Sequence, residues 1–367
     1  MKYVRFSTIF LFILVSCQKP DVTEERSVRS QARGNKQESV NFQEVGFIDL
    51  GSEGASEISA YDPLTSKLFV VNNAGVNKID VVDLSNPSAP VYITSILMAP
   101  FGGLVNSVAV HDGKLAAAIE ASPKTNNGQV VVFSTSDYTV IATATVGAQP
   151  DMITWSPDGE YILTANEGEP NDAYTIDPVG SVSIIHAKED YTVNTIDFSS
   201  FSSQQEELVQ QGLRIFGPNA SFAQDIEPEY IAVSSNSRTA WVTLQENNGI
   251  ARIDLRSQVI TDIFPLGFKN YNLPANAMDV SDNDGSIQFN TWPVYGIYQP
   301  DAIAVIPSNG TPFIFTANEG DARDYKGFSE VRRVNHSSIM LDPAAFPGTT
   351  SWKTNAILGR LNITTTM

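Results

Sequence analysis

Three segments of this chain are copies of one another. Gln149-Pro150-Asp151-Met152-Ile153 leads into an apolar run, a turn and a second run, and the unit closes at Ala165-Asn166-Glu167-Gly168. Glu227-Pro228-Glu229-Tyr230-Ile231 does the same and closes at Leu244-Gln245-Glu246-Asn247. Gln299-Pro300-Asp301-Ala302-Ile303 does so again and closes at Ala317-Asn318-Glu319-Gly320. From the Pro to the closing Glu the distances are 17, 18 and 19 residues. Two weaker copies precede them, Ser56-Glu57-Ile58-Ser59 to Val71-Asn72-Asn73 and Asn106-Ser107-Val108-Ala109 to Ile119-Glu120. A unit this short cannot bury its apolar face alone and has to stack on its neighbours.

The runs inside the units are strand-like. Lys67–Val71, Gln129–Phe133, Tyr161–Ala165, Thr239–Leu244 and Pro312–Ala317 are rich in Val, Ile, Phe and Thr. Turn residues separate them, as in Ser156-Pro157-Asp158-Gly159 and Pro307-Ser308-Asn309-Gly310. A second strand pair follows the unit at Lys78–Leu84, Gly180–Ile185 and Gly249–Leu255. Four strands per repeat make a propeller blade, usually about 40–45 residues. The first two steps here are 50 and 44 residues and the next two 78 and 72, so insertions are expected at Ser199–Ala223 and Phe268–Tyr298. Stacked sandwich domains are the alternative, but they leave the in-register turn chemistry unexplained. The expected class is therefore all-β, a β-propeller with one short helical insertion. That helix is expected over Ser203–Gln211, opening on a Ser203–Glu206 capping box and stopping at Gly212.

The N-terminus has its own chemistry. Lys2 and Arg5 precede a short apolar stretch, Phe6–Val15, too short for a typical membrane-spanning helix and fitting a signal peptide. It ends at Leu14-Val15-Ser16-Cys17, similar to the lipoprotein box in which cleavage precedes a lipidated Cys, and Cys17 is the only Cys of the chain. Gln18 follows in place of Asp, which points past the inner membrane to the outer membrane or cell surface of a bacterium. Residues 18–40 are polar, mixed in charge and free of aromatics, so a flexible tether is expected there. The expected plan is a signal peptide over 1–17, a tether over 18–40 and a propeller over 41–367.

Charge narrows the function. The 41–367 body carries 16 Lys and Arg against 37 Asp and Glu. That balance argues against nucleic acid as a partner. It permits cations. In a propeller, equivalent points of successive blades converge at one mouth of the channel, which brings together Asp151, Glu229 and Asp301, and likewise Glu167, Glu246 and Glu319. Glu169, Asp172, Asp225 and Asp321 lie nearby in sequence. No Lys or Arg occurs from Thr125 to Ala187 or from Asn270 to Ala322, so local bases do not neutralise these acids. Oxygen ligands without Cys suit Ca²⁺ or another hard divalent cation; the plainer reading is that each acid solvates a loop. Arg323 and Lys269 are the candidate anion or substrate contacts, Arg323 alternatively pairing with an adjacent acid. Ser281–Ser286 echoes part of a calcium loop but fails its spacing and is expected to be a turn. No nucleophile elbow, HExxH or P-loop occurs, so neither a catalytic residue nor a nucleotide cofactor is expected.

Asn166-Glu167-Gly168-Glu169-Pro170-Asn171-Asp172, Gln224-Asp225-Ile226-Glu227-Pro228-Glu229-Tyr230, Gln245-Glu246-Asn247-Asn248 and Ala317–Tyr325 resemble the choice-of-anchor I family. That family includes bacterial surface proteins and looks related to a sea urchin mesenchyme-specific cell-surface glycoprotein of biomineralisation. The resemblance implies a propeller, of the seven-bladed type, and a surface role reached by varied anchors. Some members are labelled alkaline phosphatases, which leaves a metal-dependent phosphoesterase as the alternative to a binding module for adhesion or mineral contact. About five repeat units are present, the fifth incomplete, and the family usually continues beyond Leu358-Gly359-Arg360-Leu361. A truncated, unclosed propeller with an aggregation-prone edge is the expectation that follows.

Overall fold

In the computed structural model, which describes residues 42–51 and 54–366, the repeat units become sheets of antiparallel strands. The first sheet is β1 (Ala55–Asp62), β2 (Lys67–Asn72), β3 (Lys78–Asp83) and β4 (Val91–Leu97). The second is β5 (Val105–His111), β6 (Lys114–Ile119), β7 (Asn127–Ser134) and β8 (Val140–Ala148). The third is β9 (Pro150–Trp155), β10 (Tyr161–Asn166), β11 (Ser181–His186) and β12 (Thr192–Asp197). The fourth is β13 (Pro228–Val233), β14 (Thr239–Leu244), β15 (Gly249–Asp254) and β16 (Val259–Pro265). Each sheet is paired in chain order, as in a propeller blade. These strands belong to the unit Val45–Met367.

The strands of a blade differ because their surroundings differ. Second strands lie between neighbouring blades and are buried on both faces. In β6, Leu115–Ile119 is buried throughout, so its sequence is a continuous apolar run without alternation. Fourth strands face solvent on one side: β12 is mostly exposed and reads Thr-Val-Asn-Thr-Ile-Asp. First strands pack on one another from blade to blade, β1 on β5, β5 on β9, β9 on β13 and β13 on β19 (Pro300–Ser308). They are the innermost strands, and the repeat signature sits at their start.

The fifth unit departs from the blade pattern. Among the described residues its sheet is β19 paired with β20 (Thr311–Asn318) alone. After β20 the chain packs against the insertion that precedes β19. There a hairpin of β17 (Phe268–Asn270) with β18 (Tyr295–Ile297), and one of β21 (Val331–Arg333) with β22 (Asn362–Thr364), frame a small core of Val280, Val334 and Leu358. Val45–Leu50 is irregular, and no strand pairs with it among the described residues. Cys17 and the signal and tether segments lie outside the described residues.

The expected helix exists but opens differently. A 3-10 turn over Ser199–Gln204 leads into α1 (Gln205–Gln210), and no side chain caps α1. Phe198 and Phe201 are buried and pin the 3-10 turn, which places Ser203 inside it and off the cap position. The capping box of this insertion belongs to α2 (Phe222–Asp225), where Ser221 Oγ accepts from Gln224 N–H at 3.4 Å and Gln224 Oε1 accepts from Ser221 N–H at 3.1 Å.

Candidate metal centre at the channel mouth

Each inner strand is bulged where the signature falls. Register shifts between Pro150 and Met152 against β10, between Pro228 and Ile231 against β14, and between Pro300 and Ile303 against β20. The Pro supplies no N–H to the ladder, and a bulge re-aims the next side chain. The residues so placed are Asp151, Glu229 and Asp301. Gln149 and Gln299, just before two of these bulges, hold φ of 50° and 46°, an unusual left-handed backbone for a residue with a Cβ. The closing Asn is equally specific. Thr164 Oγ1 donates to Asn166 Oδ1 at 2.9 Å, and Thr316 Oγ1 donates to Asn318 Oδ1 at 2.9 Å in the equivalent place. Gly168 and Gly320, two residues on, have φ of 68° and 79°. A Cβ on Gly168 would lie 2.9 Å from the Val179 carbonyl, so the Glu-Gly step is fixed by sterics.

Three carboxylates meet as a result. Asp151, Glu167 and Glu229 each offer an oxygen, and these oxygens lie within 4.8 Å of one another. Burial, with the neighbouring Glu169 and Asp301, pushes Asp151 up to about 6. Burial, then Glu246 and Asp151, pushes Glu229 up to about 9. Glu167 is raised well above the usual carboxylate range by burial and by Glu229 and Asp151. Glu246 rises to about 7, chiefly through burial. Gln149 is 7% exposed; its Nε2 donates to Glu167 Oε2 and to Glu169 Oε2, both at 2.5 Å. Its Oε1 is buried and has no hydrogen-bond partner among the described residues. The set is therefore rich in oxygen donors and short of positive charge.

Other acids from the sequence reading are compensated, often by bases far away in the chain. Lys124, just before the base-free stretch, pairs with Glu169, and Tyr325 OH donates to Glu169 Oε1 at 2.6 Å. Burial raises Glu169, but Lys124 and these donors more than offset it and hold it below its usual range. Asp225 is not in the carboxylate cluster: it takes Arg323 Nη1 at 2.6 Å and the Phe216 and Gly217 N–H groups at 3.0 and 2.5 Å. Arg323 is 2% exposed, also donates from Nε to Glu227 Oε2 at 3.1 Å, and lies 4.5 Å above the Phe216 ring. Its acid partners are thus Asp225 and Glu227, distant in the chain, and not the adjacent acids of its own segment, and they enclose its guanidinium. Asp172 pairs with Lys326 at 2.5 Å on the surface. Asp301 borders the cluster and is raised by partial burial and by Glu319. Glu319 and Asp321 are exposed. Lys269 lies 5.2 Å over the Tyr271 ring. Ser281–Ser286 is the expected turn, with Asp282 held by Arg360 at 2.6 Å.

Two elements escaped the sequence reading. Arg214 and Glu330 form a buried ion pair, with side chains 3% and 0% exposed. Asn247 and Asn248 act as latches. Asn247 Nδ2 donates to the Arg214 and Asp225 carbonyls at 2.9 and 2.7 Å, and its Oδ1 accepts from Glu227 N–H at 3.0 Å. Asn248 Nδ2 donates to the Gly267 carbonyl at 2.8 Å, and its Oδ1 accepts from Tyr298 N–H at 3.0 Å. The motif Gln-Glu-Asn-Asn was the available signal, since side-by-side buried amides beside a repeat position have to satisfy backbone groups.

The choice-of-anchor I domain profile matches residues 57–367. No curated protein matches the chain. Solved structures similar to it include Kuenenia stuttgartiensis hydrazine synthase, 12% identical with a TM-score of 0.39, covering 72% of this chain and 84% of that one. Another is the Cps50 (Swd1) β-propeller domain of Myceliophteria thermophila, 10% identical with a TM-score of 0.39, covering 59% and 57%. A third is a structural-genomics protein of unknown function from Bacteroides thetaiotaomicron, 13% identical with a TM-score of 0.37, covering 67% and 53%. Among the described residues no helix is long and apolar enough to cross a membrane, which says nothing of a β-barrel. With its bulged repeat signature and its four-stranded blades, the chain belongs to the choice-of-anchor I family, whose members are exported or cell-surface proteins.

Proposed function

We propose that this protein is a surface binding module that holds a divalent cation, Ca²⁺ in the first instance, on Asp151, Glu167 and Glu229. The observation that carries the reading is three carboxylate oxygens within 4.8 Å of one another, beside a buried amide oxygen of Gln149 with no partner among the described residues. Like charges this close need a counter-charge. An all-oxygen donor set suits Ca²⁺ or Mg²⁺ and disfavours soft metals. The bound cation would order the channel mouth and offer open coordination positions to an acidic or polyhydroxylated partner, a mode suited to adhesion or mineral contact.

Calorimetric titration of Ca²⁺ and Mg²⁺ into the full chain tests this. Saturable binding is expected, weakened about tenfold or more by Glu167→Gln and by Asp151→Asn, since each removes one of few charged ligands. The surface variant Asp172→Asn is expected to bind as the parent does. Absence of saturable heat for either ion, or unchanged affinity in both cluster variants, contradicts the proposal. The phosphoesterase alternative needs a cationic clamp on phosphate beside the metal. Arg323 is engaged by Asp225 and Glu227, and Lys269 is stacked on Tyr271, so the binding module is preferred. Attachment is proposed through a lipid on Cys17, with the protein displayed at the outer membrane or cell surface. Growth with radiolabelled fatty acid is expected to label the protein and to fail with Cys17→Ser; an unlabelled parent chain contradicts the anchor.

A further inference from the structure

Glu169 follows the proposed ligand Glu167 by two residues, and the same nitrogen touches both. Gln149 Nε2 donates to Glu167 Oε2 and to Glu169 Oε2 at 2.5 Å each. Two carboxylate oxygens that share one nitrogen are close neighbours, so Glu169 stands beside the cluster as a fourth carboxylate. Its charge adds to the burial that raises Asp151 and Glu167. Yet it is not one of the three carboxylates that meet. Both of its oxygens are already engaged. Oε1 accepts from Tyr325 OH at 2.6 Å, and Oε2 accepts from Gln149 and from the Lys124 ammonium.

Of these three donors only Lys124 carries charge. It stands in the connection between β6 and β7, one blade away from Glu169, so the pairing is made by the fold and not by the local sequence. An all-oxygen cation site gains affinity with the number of charged ligands it can present. A carboxylate held by an ammonium is withdrawn from that number. The Lys124 and Glu169 side chains are 35% and 26% exposed, and a lysine rides on a flexible stem, so this pair can open without unpacking the core. We propose that Lys124 sets the strength of the cation site by holding Glu169 away from it, which keeps the site weak and exchangeable. The inference rests on the cation site proposed above and names what limits its affinity. Lys124 acts as a positioning residue, through Glu169.

Calorimetric titration of Ca²⁺ into the full chain tests this in the parent, in Lys124→Met, in Lys124→Arg and in Lys124→Met combined with Glu169→Gln. The parent is expected to bind with a dissociation constant of about 0.1–1 mM, the range of extracellular modules. Lys124→Met releases a fourth carboxylate and is expected to tighten binding about tenfold or more. Lys124→Arg keeps the ion pair and is expected to bind as the parent does. The double variant removes the released carboxylate and is expected to return to within about threefold of the parent. Tyr325 and Gln149 still hold Glu169 in Lys124→Met, so the fold is expected to survive, and Lys124→Gln is a second neutral variant with the same expected gain. A merely structural role for Lys124 would weaken binding when it is lost, which is the opposite sign. Unchanged or weaker binding in both neutral variants overturns the inference and leaves the cation site standing. Equal tightening in Lys124→Arg, or tightening kept in the double variant, also overturns it, because the effect would not pass through Glu169. A parent constant below about 1 μM overturns it too, since nothing would then be held back. Saturable heat in the neutral variants alone supports it and places the parent's constant beyond the titrated range. No saturable heat in any of the proteins overturns it together with the cation site.

Discussion

Two sets of buried acids in this protein are handled in opposite ways. Asp225 and Glu227 are tied to Arg323, and Glu330 to Arg214, across separations of 98, 96 and 116 residues. These pairs join the α2 segment and the fourth blade to the chain that follows β20. Asp151, Glu167 and Glu229 come from the repeat itself and meet one another with no base in the set. The first arrangement holds the fold together. The second works against it unless a cation arrives. Position in the repeat therefore does not decide an acid's role; what decides it is whether a distant base reaches it.

Breaking the compensated set is expected to have the largest effect. Arg323→Met leaves Asp225 and Glu227 buried without their partner and is expected to cost about 3–5 kcal/mol in urea unfolding. A loss below about 1 kcal/mol would erase the distinction between the two sets. In the uncompensated set the sign reverses. Glu229→Gln removes a carboxyl that keeps its proton in the folded state at about pH 8, where the unfolded chain has released it, and is expected to stabilise the metal-free protein by about 1–3 kcal/mol, while weakening Ca²⁺ binding. Destabilisation by the same change would place Glu229 with the structural acids.

Acidity sharpens the same contrast. Asp151, Glu246 and Glu229 have folded-state values raised to about 6, 7 and 9, so the folded state holds protons that the unfolded state has released. Their contribution to stability is complete below the ordinary carboxylate range and is lost as the pH rises through those values. Denaturation in chelator between about pH 5 and about pH 9 is expected to show falling stability. The smallest effect belongs to the surface pair, where Asp172→Asn is expected to leave the melting temperature unchanged.

Much of this was legible in the residues. The repeat spacing located the inner strands, and equivalence between copies grouped Asp151 with Glu229 and Asp301, and Glu167 with Glu246 and Glu319; that one member of the second group joins two of the first took the geometry. What was not legible came from pairings distant in the chain. Lys124 stands at the edge of a stretch with no base, and only the fold carries its ammonium to Glu169. Arg323 sits among local acids but is claimed by Asp225 and Glu227 from another blade. The Ser203 capping pattern was locally sound and was overridden by the burial of Phe198 and Phe201, a tertiary effect. The small core around Val280 was seen only as extra length before β19, because its partners lie after β20.

The central claim is that the repeat-derived carboxylates await a cation. The most direct measurement is the melting temperature of the full chain, with chelator and with millimolar Ca²⁺, at about pH 5 and about pH 8. Protons and Ca²⁺ compete for the same oxygens, so Ca²⁺ is expected to raise the melting temperature little at the lower pH and strongly at the higher one, with the increment lost in Glu229→Gln. An increment that is absent at both values, or equal at both and unchanged in Glu229→Gln, would contradict it.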